Sequence, residues 1–171
     1  ELNKKNVGII GLGRNGSNIA KWCKSFGAQV SYHDPYVSKK SLNEINLKRI
    51  FSDNDIVVIC CSLTEETKNL ITSKFLNLLK PNSHLINTSR GEVINEKDLS
   101  NFIKKRKDVS INLDVLANEV THQQFKSPLY KHILAGDIIV TPHISGATIE
   151  SQLKAARASF LILKKYLDGK R

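Results

Sequence analysis

Val7-Gly8-Ile9-Ile10-Gly11-Leu12-Gly13-Arg14-Asn15-Gly16 is the stretch whose reading decides the fold. Val7 to Ile10 is a short apolar run without polar alternation, the pattern of a strand buried on both faces of a parallel sheet. A glycine-rich turn follows, then a helical stretch from Asn15 to Phe26, with Gly27 at the position of a C-terminal cap. The GxGxxG spacing alone is ordinary turn chemistry. Between a buried strand and a helix it is the arrangement that receives a pyrophosphate. Gly11 permits the tight turn, Gly13 lets the backbone approach the phosphates, and Gly16 allows the helix to pack closely on the strand. The helix N-terminus presents free N–H groups and the positive end of its dipole to that anion.

Gln29 to His33 reads as a second strand, and Asp34 follows it, eighteen residues after Gly16. Asp34-Pro35 by itself is equally a turn signal. Beside the glycine motif, a carboxylate here accepts hydrogen bonds from the adenosine ribose hydroxyls and repels a 2′-phosphate, which favours NAD over NADP.

Working outward, Asp55 to Cys61, Ser83 to Thr88, Ser110 to Val115 and Asp137 to Thr141 read as further strands. Ile45 to Phe51 is weakly helical, Ser73 to Leu79 and Asn95 to Lys105 are helical, and Ala117 to Leu134 is long, polar and aperiodic. From Thr148 to Leu167, apolar residues at Ile149, Leu153, Ala156, Phe160, Leu163 and Leu167 make one helical face. Strands alternating with helices imply an α/β fold with a doubly wound parallel sheet, a Rossmann-type dinucleotide-binding domain.

The 171 residues suffice for one such domain, 1-171. The chain begins at Glu1 and contains no Met, so it is expected to be a piece of a longer two-domain protein whose substrate domain lies elsewhere. The net charge of +10 reads as a lysine-rich solvated surface and not as a nucleic-acid face, because no aromatic residues interleave the basic runs. No apolar run approaches the roughly 20 residues that span a bilayer. Cys23, Cys60 and Cys61 lack metal or disulfide spacing and read as reduced thiols, with Cys60 and Cys61 on opposite faces of a strand; no metal site is expected and the placement is cytoplasmic.

Three motifs fall at strand ends: Asn87-Thr88-Ser89-Arg90-Gly91, Leu113-Asp114-Val115 with Glu119 beyond it, and Thr141-Pro142-His143-Ile144-Ser145-Gly146. In an open parallel sheet, ligands bind at the carboxyl ends of the strands, so all three converge on one cleft. Read singly, Arg90 is a surface ion-pair partner, Glu119 a solvated loop residue and His143 a residue capping a helix. As an ordered set, the motifs make this sequence closely resemble the D-isomer-specific 2-hydroxyacid dehydrogenases over nearly its whole length, with a phosphoglycerate dehydrogenase-like character at Asp34-Pro35-Tyr36-Val37 and Thr148-Ile149-Glu150.

That resemblance implies an NAD-dependent oxidoreductase acting on a D-2-hydroxy acid and 2-keto acid pair. Arg90, Glu119 and His143 are then the catalytic residues. Arg14 and Asn15 fall at the pyrophosphate, Asp34 at the ribose, Cys61 in a loop lining the cofactor, Thr88 and Ser89 on the nicotinamide side, and Asp114 where the carboxamide is held. The residue types suit the chemistry. Hydride transfer to a keto acid leaves an oxygen that must be protonated, and an imidazole, which ordinarily titrates near pH 6.5, serves both directions. A glutamate bonded to it fixes the tautomer and favours the imidazolium. A guanidinium grips a carboxylate through a planar fork. Departures from the family pattern are Cys60 for His, Ser62 for Pro, Val120 for Pro and Ser145 for Gly, with a long loop from Val120 to Gly136. His33, His84, His122 and His132 receive no role. The resemblance also implies a homodimer. It leaves open an NAD-responsive corepressor-like binding protein without turnover, and the isolated domain is expected to be poorly active.

Overall fold

A computed structural model describes residues 1–119 and 126–169. Val120 and His122, singled out above, lie outside the described residues. The strands are β1 (Asn6–Ile10), β2 (Gln29–His33), β3 (Asn43–Glu44), β4 (Ile56–Ile59), β5 (His84–Asn87), β6 (Ser110–Leu113) and β7 (Ile139–Val140). They form one seven-stranded sheet in the order β3-β2-β1-β4-β5-β6-β7, every described pair parallel. The order reverses direction between β1 and β4, so the crevice above their carboxyl ends is the topological switch point where such sheets bind ligands.

The two faces of the sheet carry separate cores. Ile10, Val57, Ile59, Leu85, Ile111 and Leu113 point to one face, where α2 (Leu47–Asp53), α3 (Ser73–Leu76) and α4 (Glu96–Lys105) cover them with Ile50, Phe51, Leu76, Leu99, Phe102 and Ile103. Val7, Ile9, Val30, Tyr32 and Val58 point to the other, under Ala20 of α1 (Arg14–Ser25). Cys60 packs with the second cluster and Cys61 with the first, so these neighbours do face opposite ways, although both lie just past the end of β4.

α1 ends as Gly27 indicates. Gly27 takes φ +82°, and the N–H groups of Gly27 and Ala28 donate to Lys24 and Cys23 carbonyls at 3.0 Å each, a Schellman closure. β3 carries no apolar run, which is why its sequence gives no strand signal. It exists because Tyr32 Oη donates to Glu44 at 2.9 Å and Ile45, beside it, is buried. Within the aperiodic stretch the described part holds α5 (Tyr130–Leu134). Its His132 is buried, with Nε2 3.1 Å from Ser100 Oγ of α4 and Nδ1 2.7 Å from Asp137, ahead of β7. This histidine is a packing bolt between three segments.

The last helix, α6 (Ile149–Asp168), starts with a reciprocal capping box between Thr148 and Ser151. Its apolar face forms as the periodicity indicates, but none of its residues is buried, and Ile149, Leu153, Phe160 and Leu163 lie open. No helix among the described residues is long and apolar enough to cross a membrane.

Candidate functional site

The site begins where β1 turns into α1. Gly11 sits at φ +89°, and a Cβ there would lie 2.6 Å from the Cys61 backbone; at Gly16 it would lie 2.1 Å from the Gly11 carbonyl oxygen. Side chains are thus excluded from both positions by the close crossing of β1, α1 and the β4 end. Gly13 is different: a Cβ there would meet no protein atom within 4 Å. The space above it is open for a ligand. α1 has Gly13 as its N-cap with no side-chain cap, and its first turn, with exposed Arg14 and Asn15, contains no acid. The helix end is therefore left for an external anion.

Asp34 closes this turn from the side of β2. Its Oδ2 accepts the Leu12 N–H at 2.7 Å, and its Oδ1 accepts the Tyr36 and Val37 N–H groups at 2.9 and 3.1 Å. Asp34 forms the Asp-Pro turn, and its carboxylate also bonds the glycine loop at Leu12. An ionised carboxylate has about four acceptor sites, so capacity remains for ribose hydroxyls. Open space over Gly13, an uncapped helix end and an oriented carboxylate fit a dinucleotide.

Across the crevice, Asn15, Cys61, Thr88, Ser89 and Arg90 line one cavity of about 310 Å³ together with Cys60, Ser62 and Leu63. Burial pushes both the Cys60 and Cys61 thiols up to about 11, with the Cys61 sulfur adding to the first and the Asp34 charge to the second, so they remain protonated at neutral pH. They are cavity walls and not nucleophiles. Thr88, Ser89 and Arg90 leave β5 on a loop fixed by Asn87, whose side chain accepts from Ser89 and donates to the Arg90 carbonyl at 2.9 Å. The Arg90 guanidinium is exposed and bonds the Ser89 carbonyl at 2.6 Å. Among the described residues it makes no hydrogen bond to Glu119 or His143.

Thr88 also borders a second, mostly apolar cavity of about 390 Å³, lined by Asp114, Thr141, Ile144 and Ser145 as well. Asp114 is buried, and its carboxylate organises the loop after β7. Oδ1 accepts from the Thr141 hydroxyl and from the Ile144 N–H at 3.1 Å; Oδ2 accepts the Ser145 N–H at 3.0 Å. Burial acts to raise its pKa, but hydrogen bonds from Ser145 and Thr141 outweigh it and hold the carboxyl at about 2. The carboxylate is the scaffold of the turn that carries His143.

His143 adopts φ +52°, the left-handed region uncommon for a residue with a side chain, and its N–H donates to the Asp114 carbonyl at 2.9 Å. Its Nδ1 lies 2.8 Å from Glu119 Oε2. Glu119 Oε1 accepts the Leu116 N–H at 2.6 Å. The imidazole is roughly half exposed. The contact joins residues 24 apart, a pairing that the family resemblance implies and the spacing alone does not.

Gly91 escaped the sequence reading. A Cβ there would lie 2.0 Å from the Leu116 carbonyl carbon, so the loop bearing Arg90 presses on the backbone that leads to Glu119. A glycine directly after an arginine at a strand end was the available signal. Thr141 and Ser145, as partners of Asp114, were visible only as members of a motif. Among the described residues there is no group of three or more His, Cys, Asp or Glu side chains able to hold a metal.

Comparison with known proteins agrees with this geometry. Residues 1–145 match the model of the family described as D-isomer specific 2-hydroxyacid dehydrogenase, NAD binding domain. YoaD of Bacillus subtilis, a protein assigned to the 2-hydroxyacid dehydrogenases, is 37% identical over 152 residues, covering 88% of this chain and 43% of that protein. D-3-phosphoglycerate dehydrogenase of Synechocystis is 33% identical over 163 residues, 91% of this chain and 28% of its own length. Among solved structures, D-lactate dehydrogenase from Aquifex aeolicus, complexed with NAD and lactic acid, superposes with a TM-score of 0.87 at 25% identity, over 99% of this chain and 55% of that one. The chain thus spans about half or less of the length of these relatives. It belongs to the D-isomer specific 2-hydroxyacid dehydrogenases, as an NAD-binding domain of that family.

Proposed function

We propose that this domain holds NAD(H) along the carboxyl edge of its sheet and works in hydride exchange between a D-2-hydroxy acid and its 2-keto acid. The observation that carries the reading is the 2.8 Å Glu119–His143 hydrogen bond, in a loop whose Thr141, Ile144 and Ser145 line a cavity that Thr88 also borders. Bound NAD(H) supplies or accepts the hydride. Gly11, Gly13 and Gly16 with the α1 N-terminus seat the pyrophosphate, Arg14 and Asn15 flank it, and Asp34 takes the ribose. Cys61, Thr88, Ser89 and the Asp114 turn wall the nicotinamide end. Arg90 grips the substrate carboxylate and polarises the carbonyl. Glu119 keeps the proton of neutral His143 on Nδ1 and favours the imidazolium, so that Nε2 of the neutral ring takes the hydroxyl proton in oxidation and the imidazolium gives its Nε2 proton to the carbonyl oxygen in reduction. Positioned acid–base catalysis of this kind supplies about 10² to 10⁴ in rate.

Relatives that are D-3-phosphoglycerate dehydrogenases and glyoxylate/hydroxypyruvate reductases point to two substrate groups, 3-phosphoglycerate and glyoxylate or hydroxypyruvate. The free thiols of Cys23, Cys60 and Cys61 support a reducing, cytoplasmic setting. The exposed apolar face of α6 supports a homodimer in solution, which light scattering tests. The functional test is NADH oxidation by the full-length protein with a panel of 2-keto acids. Turnover supports the reading; NADH binding without turnover on any of them supports the binding-protein alternative.

A further inference from the structure

Beyond β6, three successive backbone N–H groups donate to three different carboxylates. Leu116 donates to Glu119 at 2.6 Å, Ala117 to Glu96 Oε1 at 2.8 Å and Asn118 to Glu92 at 2.9 Å. Glu96 has a second partner: its Oε2 accepts the Ser127 hydroxyl at 2.7 Å. Its two oxygens therefore hold the chain on both sides of Glu119, at Ala117 and at Ser127.

We propose that Glu96 is a positioning residue for the acid–base pair, fixing the backbone from which Glu119 reaches His143. The proposal rests on the acid–base reading above. Glu119 sits in a 3-10 turn beyond β6, and its own bond to Leu116 is local, reaching back only three positions. A local turn fixes the side chain relative to its own loop and leaves the loop unanchored. Glu92 anchors the loop at Asn118, and Glu96 alone of the two ties it on both sides of Glu119, at Ala117 and at Ser127. Glu96 opens α4, which is capped by Asn95 and packed through buried Leu99, Phe102 and Ile103. A first-turn acid also suits the helix dipole, but that role asks only for exposure near the helix end. Asp98, in the same turn, is differently engaged, accepting the Ser73 N–H of α3 at 2.7 Å. Burial pushes the Glu96 carboxyl up, and the charges of Glu92 and Glu119 add to that, while hydrogen bonds from Ala117 and Ser127 oppose it. The carboxylate stands where its own surroundings disfavour it, and those two donors are what hold it there.

The test uses Glu96→Ala and Glu96→Gln in the full-length protein labelled with nitrogen-15 histidine. The imidazole nitrogen shifts report the His143 tautomer without need of substrate, and NADH-dependent keto-acid reduction is measured in parallel. In Glu96→Ala the Nδ1–H tautomer should lose its dominance and kcat should fall about tenfold, part of what acid–base catalysis supplies, with KM for NADH within about twofold. Glu96→Gln keeps an amide oxygen for the Ala117 N–H and should recover most of both. A parent-like tautomer in Glu96→Ala overturns the proposal, as does a lowered melting temperature in both variants with the tautomer unmoved. If the parent reduces no keto acid, the acid–base reading falls while the tautomer measurement still decides the role of Glu96.

Discussion

Glu119 joins two things that the chain keeps apart: its Oε2 lies 2.8 Å from His143 Nδ1, and its Oε1 accepts the Leu116 N–H at 2.6 Å. One carboxylate therefore ties the imidazole to the backbone leaving β6. In Glu119→Gln the amide oxygen can keep the Leu116 contact, but the NH2 group then faces Nδ1 and donates to it. The proton of neutral His143 is driven to Nε2, the wrong nitrogen for a base. Hydroxy-acid oxidation should fall about 10²-fold or more. Keto-acid reduction, which needs the imidazolium, should lose rate at a lower pH than in the parent, because removing a neighbouring carboxylate disfavours the charged ring. A pH–rate profile in both directions checks this; superimposable profiles would reduce Glu119 to a loop residue.

The elements around the cofactor turn were legible because each obeys a short-range rule. Val7 to Ile10, the Gly11 to Gly16 spacing and Gly27 each show a pattern contained within a few residues, even though Gly11 also makes room for the distant Cys61 backbone. β3 was not legible, since a two-residue strand is made by the Tyr32–Glu44 contact and the burial of Ile45, not by its own pattern. The catalytic candidates were legible as motifs but not as geometry. Nothing local announces that Asp114 spends its carboxylate on Thr141, Ile144 and Ser145, or that Gly91 is a glycine because Leu116 crosses over it. The face of α6 was read correctly as apolar, yet amphipathicity carries no information on what an apolar face meets.

Asp34 supports two structures at once, and its substitution should separate them. The parent should bind NAD(H) more tightly than NADP(H), since a 2′-phosphate would fall beside this carboxylate. Asp34→Ala removes that repulsion but also strips the Leu12 N–H of its 2.7 Å acceptor. Affinity for NAD should drop while the NAD/NADP ratio moves toward one. Calorimetric titration with both cofactors measures this, and an unchanged ratio would remove Asp34 from the ribose.

Gly91→Ala should damage turnover more than cofactor binding. The new methyl group would start 2.0 Å from the Leu116 carbonyl carbon, so one of the two loops must move. Overpacking of this kind costs about 1–3 kcal/mol. The displaced loops carry Arg90 and Glu119, whereas the Gly11–Gly16 turn lies on other strands. The expected result is a lowered melting temperature, a large loss of kcat and an NADH Kd within a fewfold of the parent. Parent-like kcat would show that the close crossing has slack.

Asp114 gives a pH dependence of stability with a definite sign. Its carboxyl is held at about 2 in the folded chain, by hydrogen bonds from Ser145 and Thr141 that outweigh the effect of burial. The unfolded chain returns it to the ordinary value of about 3.9. A depressed folded value means that the unfolded state binds the proton more readily, so the contribution is fully present above about pH 4. It is lost as pH falls toward the folded value of about 2. Asp114→Asn should remove this dependence and also cost stability at neutral pH. If its amide oxygen keeps Thr141 and Ile144, its NH2 group meets the Ser145 N–H, donor against donor. One unsatisfied buried donor pair costs about 1–3 kcal/mol. Urea titrations of parent and variant between about pH 2 and 7 read both effects, because the difference in stability should be largest at neutral pH and shrink as Asp114 in the parent protonates. A difference that stays constant over that range would mean that Asp114 works through its shape and not its charge, and the turn carrying His143 would then owe nothing to an ionised carboxylate.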